Sequence, residues 1–278
     1  VLALAVLDAV VWRQILFSAN RDLRVYFLDV GQGDSELIVL PGGPPAGGAG
    51  VQMLVDSGPV DGRVLSALGD VLAPTDRYLD LVVLSHAESD HFGGLIEVLK
   101  RYRVGAFIWN GKPGTAASFA DLMRAVEASG ARVIVLGAGD AIRHAGSRID
   151  VLSPTPELAQ GTVMNDAAFT LKLAGKGMTA LFTGDIGARV ESALAPVVGA
   201  VDVLKVAHHG SKFSSTASFL DAVRPRLAVI EVGKNRYGHP TPDVLTRLAA
   251  VGARILRTDR DGTIEVVADG RRLRIFAK

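Results

Sequence analysis

The chain has 278 residues, 49% of them hydrophobic, and 30 Lys+Arg against 29 Asp+Glu leave a net charge of +1. That length buries a large α/β core without staples. The near-neutral balance excludes a globally basic polyanion binder, and the absence of cysteine excludes disulfides and thiolate metal ligands alike.

Val1–Phe17 (VLALAVLDAVVWRQILF) is apolar but interrupted by Asp8 and Arg13. It is short for a full span, which needs about 20 apolar residues, and it lacks a basic leader and a clear cleavage site. Residues 1–20 therefore read as an apolar stub set apart from a globular domain over 21–278. The stub is open to three readings: the end of a transmembrane region, an interfacial helix or an ordinary packed helix.

From Leu23 onward strands and helices alternate. Arg24–Val30 and Glu36–Leu40 are predicted to pair around Gly31-Gln32-Gly33-Asp34, and Pro41–Gly50 (PGGPPAGGAG) is a Gly/Pro hairpin tip. Val51–Val55 reads as a strand ending at Asp56, followed by a helix over Val60–Leu72. Leu81–Leu84 is a short buried strand that runs into His86, Glu88, Asp90 and His91, and Gly93-Gly94 then turn the chain into a helix over Leu95–Tyr102. Gly105–Trp109 and Ala131–Leu136 are strands around a helix over Ser118–Ala128, and Ala141–His144 and Arg148–Leu152 form a hairpin.

The second half has the same texture. Phe169–Leu173 and Met178–Phe182 pair, and Asp185 follows the second of them. A helix over Arg189–Leu194 leads to the strand Val203–Ala207, which ends at His208-His209-Gly210. Ser214, Ser215 and Thr216 read as an N-cap for a helix over Thr216–Val223, whose N-terminus could hold a phosphate. The strand Leu227–Val232, the helix Asp243–Val251, the strand Arg254–Leu256 and a last hairpin, Thr263–Val267 with Arg272–Phe276, complete the chain. Hairpins mixed with single helices predict an α/β fold of two mixed sheets with helices outside.

Ligand-type residues fall repeatedly at strand ends. Imidazole and carboxylate together suit Zn²⁺ or Mn²⁺, and in a layered α/β fold the loops at one sheet edge converge. Lys205, Lys212, Lys234 and Arg236 flank the histidine motifs, as a phosphate substrate requires.

On these motifs the chain resembles the metallo-β-lactamase superfamily, and more closely the C-terminal domain of the ComEC family of DNA-uptake channel proteins. The matching pieces are Phe27-Leu28-Asp29-Val30-Gly31-Gln32-Gly33-Asp34-Ser35, Leu54-Val55-Asp56-Ser57-Gly58, Ser85-His86-x-x-x-Asp90-His91-x-Gly93-Gly94, Phe182-Thr183-Gly184-Asp185, Lys205-Val206-Ala207-His208-His209-Gly210-Ser211 and Gly238-His239-Pro240. They occur in the family's order from Leu23 to the C-terminus. The resemblance implies an αββα four-layer sandwich with a dinuclear metal site at one edge. His86 and Glu88 would hold the first ion and Asp90 and His91 the second. Asp185 would bridge them, and either His208 or His209 would complete the second site.

Asp56 is implied to orient ligands from behind. Asp34 is implied to line the site, and Asp90, His239 and Asp34 make up the catalytic set. The chain departs from the superfamily in carrying Glu88 where a histidine is usual and Asn165 where a further histidine would stand. Both are oxygen donors and shift preference towards Mn²⁺. Two divalent ions, Mn²⁺ or Zn²⁺, are the expected cofactors.

The function so implied is a metal-dependent nuclease that degrades one strand of incoming DNA, bound single-stranded through its backbone, with Lys212, Lys234 and Arg236 on the phosphates. It would work beside the membrane-channel portion of the same polypeptide, on the extracytoplasmic side. Two other readings fit the same residues: a metallo-hydrolase of small esters, lactones or phosphodiesters, and a catalytically inactive DNA-binding module of the channel.

Overall fold

A computed structural model describes residues 22–42 and 50–278. The apolar segment Val1–Phe17 and most of the Gly/Pro loop lie outside the described residues. Among the described residues no helix is long and apolar enough to cross a membrane.

Among the described residues fifteen strands form two sheets. The first runs β15 (Leu273–Ala277), β14 (Ile264–Ala268), β1 (Leu23–Phe27), β2 (Glu36–Leu40), β3 (Val51–Val55), β4 (Tyr78–Val83), β5 (Arg103–Trp109) and β6 (Arg132–Val135). The second runs β13 (Arg254–Arg257), β12 (Leu227–Ile230), β11 (Val203–Lys205), β10 (Met178–Phe182), β9 (Thr170–Gly175), β8 (Ser147–Ser153) and β7 (Ala141–His144).

Side-chain alternation along each strand assigns the layers. Leu23, Val25 and Phe27 of β1 enter one core with Leu171, Leu173 and Phe182 of the second sheet. Tyr26 and Leu28 point the other way, into a core with Leu68, Leu95 and Leu122 from outer helices. A third core packs Leu204 and Ile230 against Val190, Leu220 and Leu248. Helix, sheet, sheet, helix is the resulting order, the four-layer αββα sandwich expected from the sequence. Strands covered on both faces read as unbroken apolar runs, which is why ELIVL over Glu36–Leu40 is buried throughout.

What positions the site is direction. Strands β3 to β6 are parallel neighbours, and so are β10 to β13. Each such pair is joined by a crossover that carries a helix of about two turns or more, as parallel pairing favours. The first sheet uses Arg63–Val71, Leu95–Arg101 and Ala117–Ser129, and the second uses Ala188–Val198, Ala217–Val223 and Pro242–Ala250. The carboxyl ends of β3, β4, β10, β11 and β12 therefore all open at one edge.

Several boundaries differ from the sequence reading. Strand β4 begins at Tyr78, because Asp80 accepts a hydrogen bond from the Gln52 amide (2.8 Å) and keeps the polar start of the strand in the sheet. Ser89–Phe92 forms a single helical turn, and Pro156–Gln160 and Thr258–Asp261 are further short helices, all too short to show a helical period. Strand β11 ends at Lys205 because the chain turns over Ala207–Gly210.

Candidate metal centre

The loop after β4 and the loops after β10 and β11 meet at the common edge. His86, His91, Asp185 and His209 are all buried there. His86, His91 and Asp185 offer one ligand atom each within 4.8 Å of one another, and so do Asp90, His91 and His209. The Nε2 atoms of His86, His91 and His209 and Oδ1 of Asp185 are buried with no hydrogen-bond partner. Buried polar atoms are ordinarily satisfied, so a converging set of orphans marks a place for a cation.

Each imidazole is held by its other nitrogen. His91 Nδ1 donates to Asp56 Oδ2 at 2.8 Å, and His209 Nδ1 donates to the Glu231 carbonyl at 2.9 Å. His86 Nδ1 stands 3.0 Å from Ser85 Oγ, whose hydroxyl donates in turn to Asp56. With Nδ1 hydrogen-bonded in all three, Nε2 is the atom turned to the centre, the arrangement that metal-binding histidines use once that nitrogen gives up any proton. The backbone pays a local strain for this placement: Asp56, His208 and His209 sit at φ of 53°, 52° and 53°, conformations that non-glycine residues adopt mainly where the surroundings enforce them. Gly33 closes the first loop on the centre, since a Cβ there would collide with the Asp90 carbonyl oxygen.

Charge fits the same picture. Burial opposes a proton on His91, yet Asp185, Asp34 and Asp56 around it raise its pKa well above the usual value. Burial likewise opposes charge on His209, but Asp185 and Asp34 push it up to about 10. Burial and the neighbouring His91 lower His86 to about 3. The carboxylates thus demand positive charge at this point, which protons meet in the metal-free chain and a divalent cation can meet instead. Three imidazoles and two carboxylates with no sulfur suit Zn²⁺ or Mn²⁺, so the residues present fit the implied group.

Around these atoms is a cavity of about 280 Å³ lined by Gln32, Glu88, Asp90, Asn165, Asp185, His208, His209, Tyr237 and His239. Glu88 is exposed on this wall and lies outside the convergent groups. His208 is more open than His209, with Nε2 3.7 Å from Asp185 and Nδ1 3.4 Å from the Asn165 amide nitrogen. Its ring stands 5.7 Å from that of His239. Lys212 is exposed over the Phe213 ring, whereas Lys234 and Arg236 line an adjoining cavity that shares Gln32 and Tyr237 with the first.

Three positions differ from the sequence reading. Asp34 converges with Asp185 and His209 as expected, but it is fully buried, 3.2 Å from His209 Nδ1, and is not among the residues that line the cavity. Lys205 does not flank a substrate; it is fully buried, pairs with Asp34 and donates to the Gly184 carbonyl at 3.0 Å. The N-terminus at Ser215 and Thr216 is not free for phosphate, because the buried Glu191 carboxylate accepts both amides. Thr216 makes no side-chain cap there.

Sequence reasoning missed Gln32 and Tyr237 on the cavity wall, and Ser85, Glu36 and Glu231 behind it. Glu36 opens an apolar run, and Lys205 and Glu231 each stand inside one. A charge in a run destined for burial is a readable signal, because such charges are buried only when paired.

No protein-family model matches the chain. It is 31% identical over 259 residues to ComE operon protein 3 of Bacillus subtilis (strain 168), an alignment covering 87% of this chain and 32% of that protein. It is 32% identical over 241 residues to competence protein ComA of Neisseria gonorrhoeae, covering 85% and 31%. The chain thus spans about a third of the length of these curated relatives. In structure it resembles the metallo-β-lactamase fold protein YhfI from Bacillus subtilis, with a TM-score of 0.60 at 13% identity over 88% of this chain and 99% of that one. Over most of its length the chain is thus similar to about a third of the length of these competence proteins, and it carries the metallo-β-lactamase fold.

Proposed function

We propose that this chain is a metal-dependent phosphodiester hydrolase that cuts single-stranded DNA. The observation that carries the reading is the convergence of three oriented, unpartnered imidazole nitrogens and Asp185 beside a cavity that Asp185 and His209 themselves line. His86 and Asp185 would hold one ion and Asp90, His91 and His209 a second, with Mn²⁺ or Zn²⁺ as the metal. A bound divalent cation supplies Lewis acidity and makes water ionisable near neutral pH.

The chain's own residues do the rest. Asp56, through His91 and Ser85, and the Glu231 carbonyl, through His209, fix the ligand geometry before substrate arrives. Asn165, His208 and His239 form the wall on which a phosphate would rest. His239 is neutral at pH 7, since burial and the nearby His208 and His209 lower its pKa. In that form its ring N–H is placed to donate a hydrogen bond to a phosphoryl oxygen, and only its protonated form would hand a proton to the leaving oxygen. Glu88 faces the same space as a rim carboxylate, and Lys234 and Arg236 lie next door for the flanking phosphates. Recognition through backbone charge carries little sequence information, which suits a task of degrading one strand of incoming DNA. On this reading the domain works on the extracytoplasmic side, beside the membrane-channel portion of a longer polypeptide.

The test is to strip the chain of metal, add end-labelled single-stranded DNA and restore Mn²⁺, Zn²⁺ or Mg²⁺ separately. Cleavage that needs metal and vanishes in Asp90→Ala is expected. A folded, metal-loaded chain that leaves DNA intact would overturn the nuclease reading.

A further inference from the structure

The cavity beside the metal centre is the larger of the two, about 520 Å³ against 280 Å³, and is lined by Gln32, Lys234, Asn235, Arg236 and Tyr237. The phosphodiester reading gives it no role beyond two cations. Its most conspicuous wall is Tyr237, an aromatic ring left 64% exposed where a ring usually contributes buried area. The two cavities meet at Gln32 and Tyr237, so a chain that leaves the metal centre on this side passes over that ring.

The ring is held ready. Asn235 Oδ1 accepts from the amides of Tyr237 (3.0 Å) and His239 (3.1 Å), while its Nδ2 donates to the carbonyls of Gly233 and His239, both at 2.9 Å. One side chain thus ties the whole turn, and the Gly233 amide donates to Gln32 across the cavity mouth at 3.2 Å. Tyr237 lies 5.7 Å from the His239 ring, and the Arg236 guanidinium stands 5.9 Å from the tyrosine centroid. Rigid placement lowers the ordering cost of a contact made on the ring.

We propose that Tyr237 is a stacking platform for the nucleobase next to the scissile phosphate, with Lys234 and Arg236 gripping the phosphate beyond it. An exposed face offers a base a π-surface without reading its edge, and cations beside it match the backbone charge; single-strand binders combine these two features. The metal centre then acts one nucleotide away from a fixed base, and an unstacked single strand binds in preference to a duplex whose bases are already covered. The inference rests on the phosphodiester reading and specifies its substrate.

The test uses the full chain in EDTA, where cleavage is off, and measures anisotropy with two fluorescein-labelled oligomers of equal length, one oligothymidylate and one abasic. Wild type should bind oligothymidylate at least fivefold tighter, the low end of base–aromatic stacking, and should quench 2-aminopurine placed in the oligomer. Tyr237→Ala should abolish both the preference and the quenching, and Tyr237→Phe should retain both. Equal affinity of wild type for the two oligomers, or a preference surviving in Tyr237→Ala, would overturn the platform while leaving the nuclease reading standing. Failure of wild type to bind either oligomer, together with no metal-dependent cleavage, would remove the nuclease reading and the platform with it.

Discussion

Asp56 is the residue on which two of the three oriented imidazoles depend. It accepts directly from His91 and, through Ser85, steadies His86. Asp56→Asn keeps the volume but loses part of the acceptor capacity, so we expect metal affinity to fall about 10- to 100-fold, read by competition with a chromogenic chelator. Unchanged affinity would show that the imidazoles hold themselves. Behind the centre, Glu231 is fully buried, and burial and Asp34 push its carboxyl up to about 8. Glu36 beside it is raised well above the usual range by burial and by Glu231; the two cannot both ionise cheaply. The sign follows from the direction of the shift. Below about pH 4.5 both folded and unfolded Glu231 carry the proton and its contribution is intact; as pH rises from there towards 8 only the unfolded chain releases it, and stability is lost. Glu231→Gln keeps the acceptor for the Ser35 amide and should flatten the fall in unfolding midpoint between pH 4.5 and 8. Parallel curves for the two proteins would count against a proton held in this pair. The part of Asp56 behind the ligands was already implied by the family's motif, whereas that of Glu231 was not, because the sequence shows only a charge inside an apolar run and not the carboxylate it meets.

Single elements show why some local signals mislead. Ser214, Ser215 and Thr216 before a helix have the composition of an N-cap, but Glu191, brought by the neighbouring helix Ala188–Val198, supplies the acceptor. Local propensity describes only what a segment can do alone, and a buried carboxylate outcompetes a hydroxyl for two amides. We expect Glu191→Ala to cost about 1–3 kcal/mol through the amides left unpaired, measured by urea unfolding, with metal affinity unaltered. A loss of metal binding instead would mean that this helix start carries the His208-His209 loop. Strand β4 teaches the converse. Its apolar end, Leu81–Val83, was plain, and so was the turn into His86 through His91, because burial on both faces demands an unbroken apolar run. Its polar start at Tyr78 was hidden, because Asp80 joins the sheet through a side-chain contact to a distant strand.

Over the whole molecule, metal and folding should be linked. The donor atoms come from loops far apart in the chain, so the unfolded state has no comparable site, and an ion at 100 times its Kd should stabilise the fold by about 2.7 kcal/mol. We expect saturating Mn²⁺ or Zn²⁺ to raise Tm by roughly 5–10 °C, and EDTA to reverse it. Because His91 and His209 hold protons in the metal-free chain, uptake at pH 7 should release protons and weaken as pH falls. Calorimetry in two buffers of different ionisation enthalpy reads this. An indifferent Tm would mean that the convergent atoms do not capture the ion.

What the amino-acid order determined by itself is the inventory and its approximate placing. Apolar runs of strand length set the sheets, their ends carry the histidines and aspartates, and one-dimensional order is enough to show both because burial and chain reversal act over a few residues. What only the tertiary structure decided is which groups face one another. The pairing of Lys205 with Asp34 spans 171 positions, and Glu191 reaches Ser215 across 24. Tyr237 comes to line the same cavity as Asp90. Such contacts depend on the parallel registers that align five strand ends at one edge. Electrostatic and hydrogen-bond energies are set by distances in space of a few ångströms, which sequence separation does not encode.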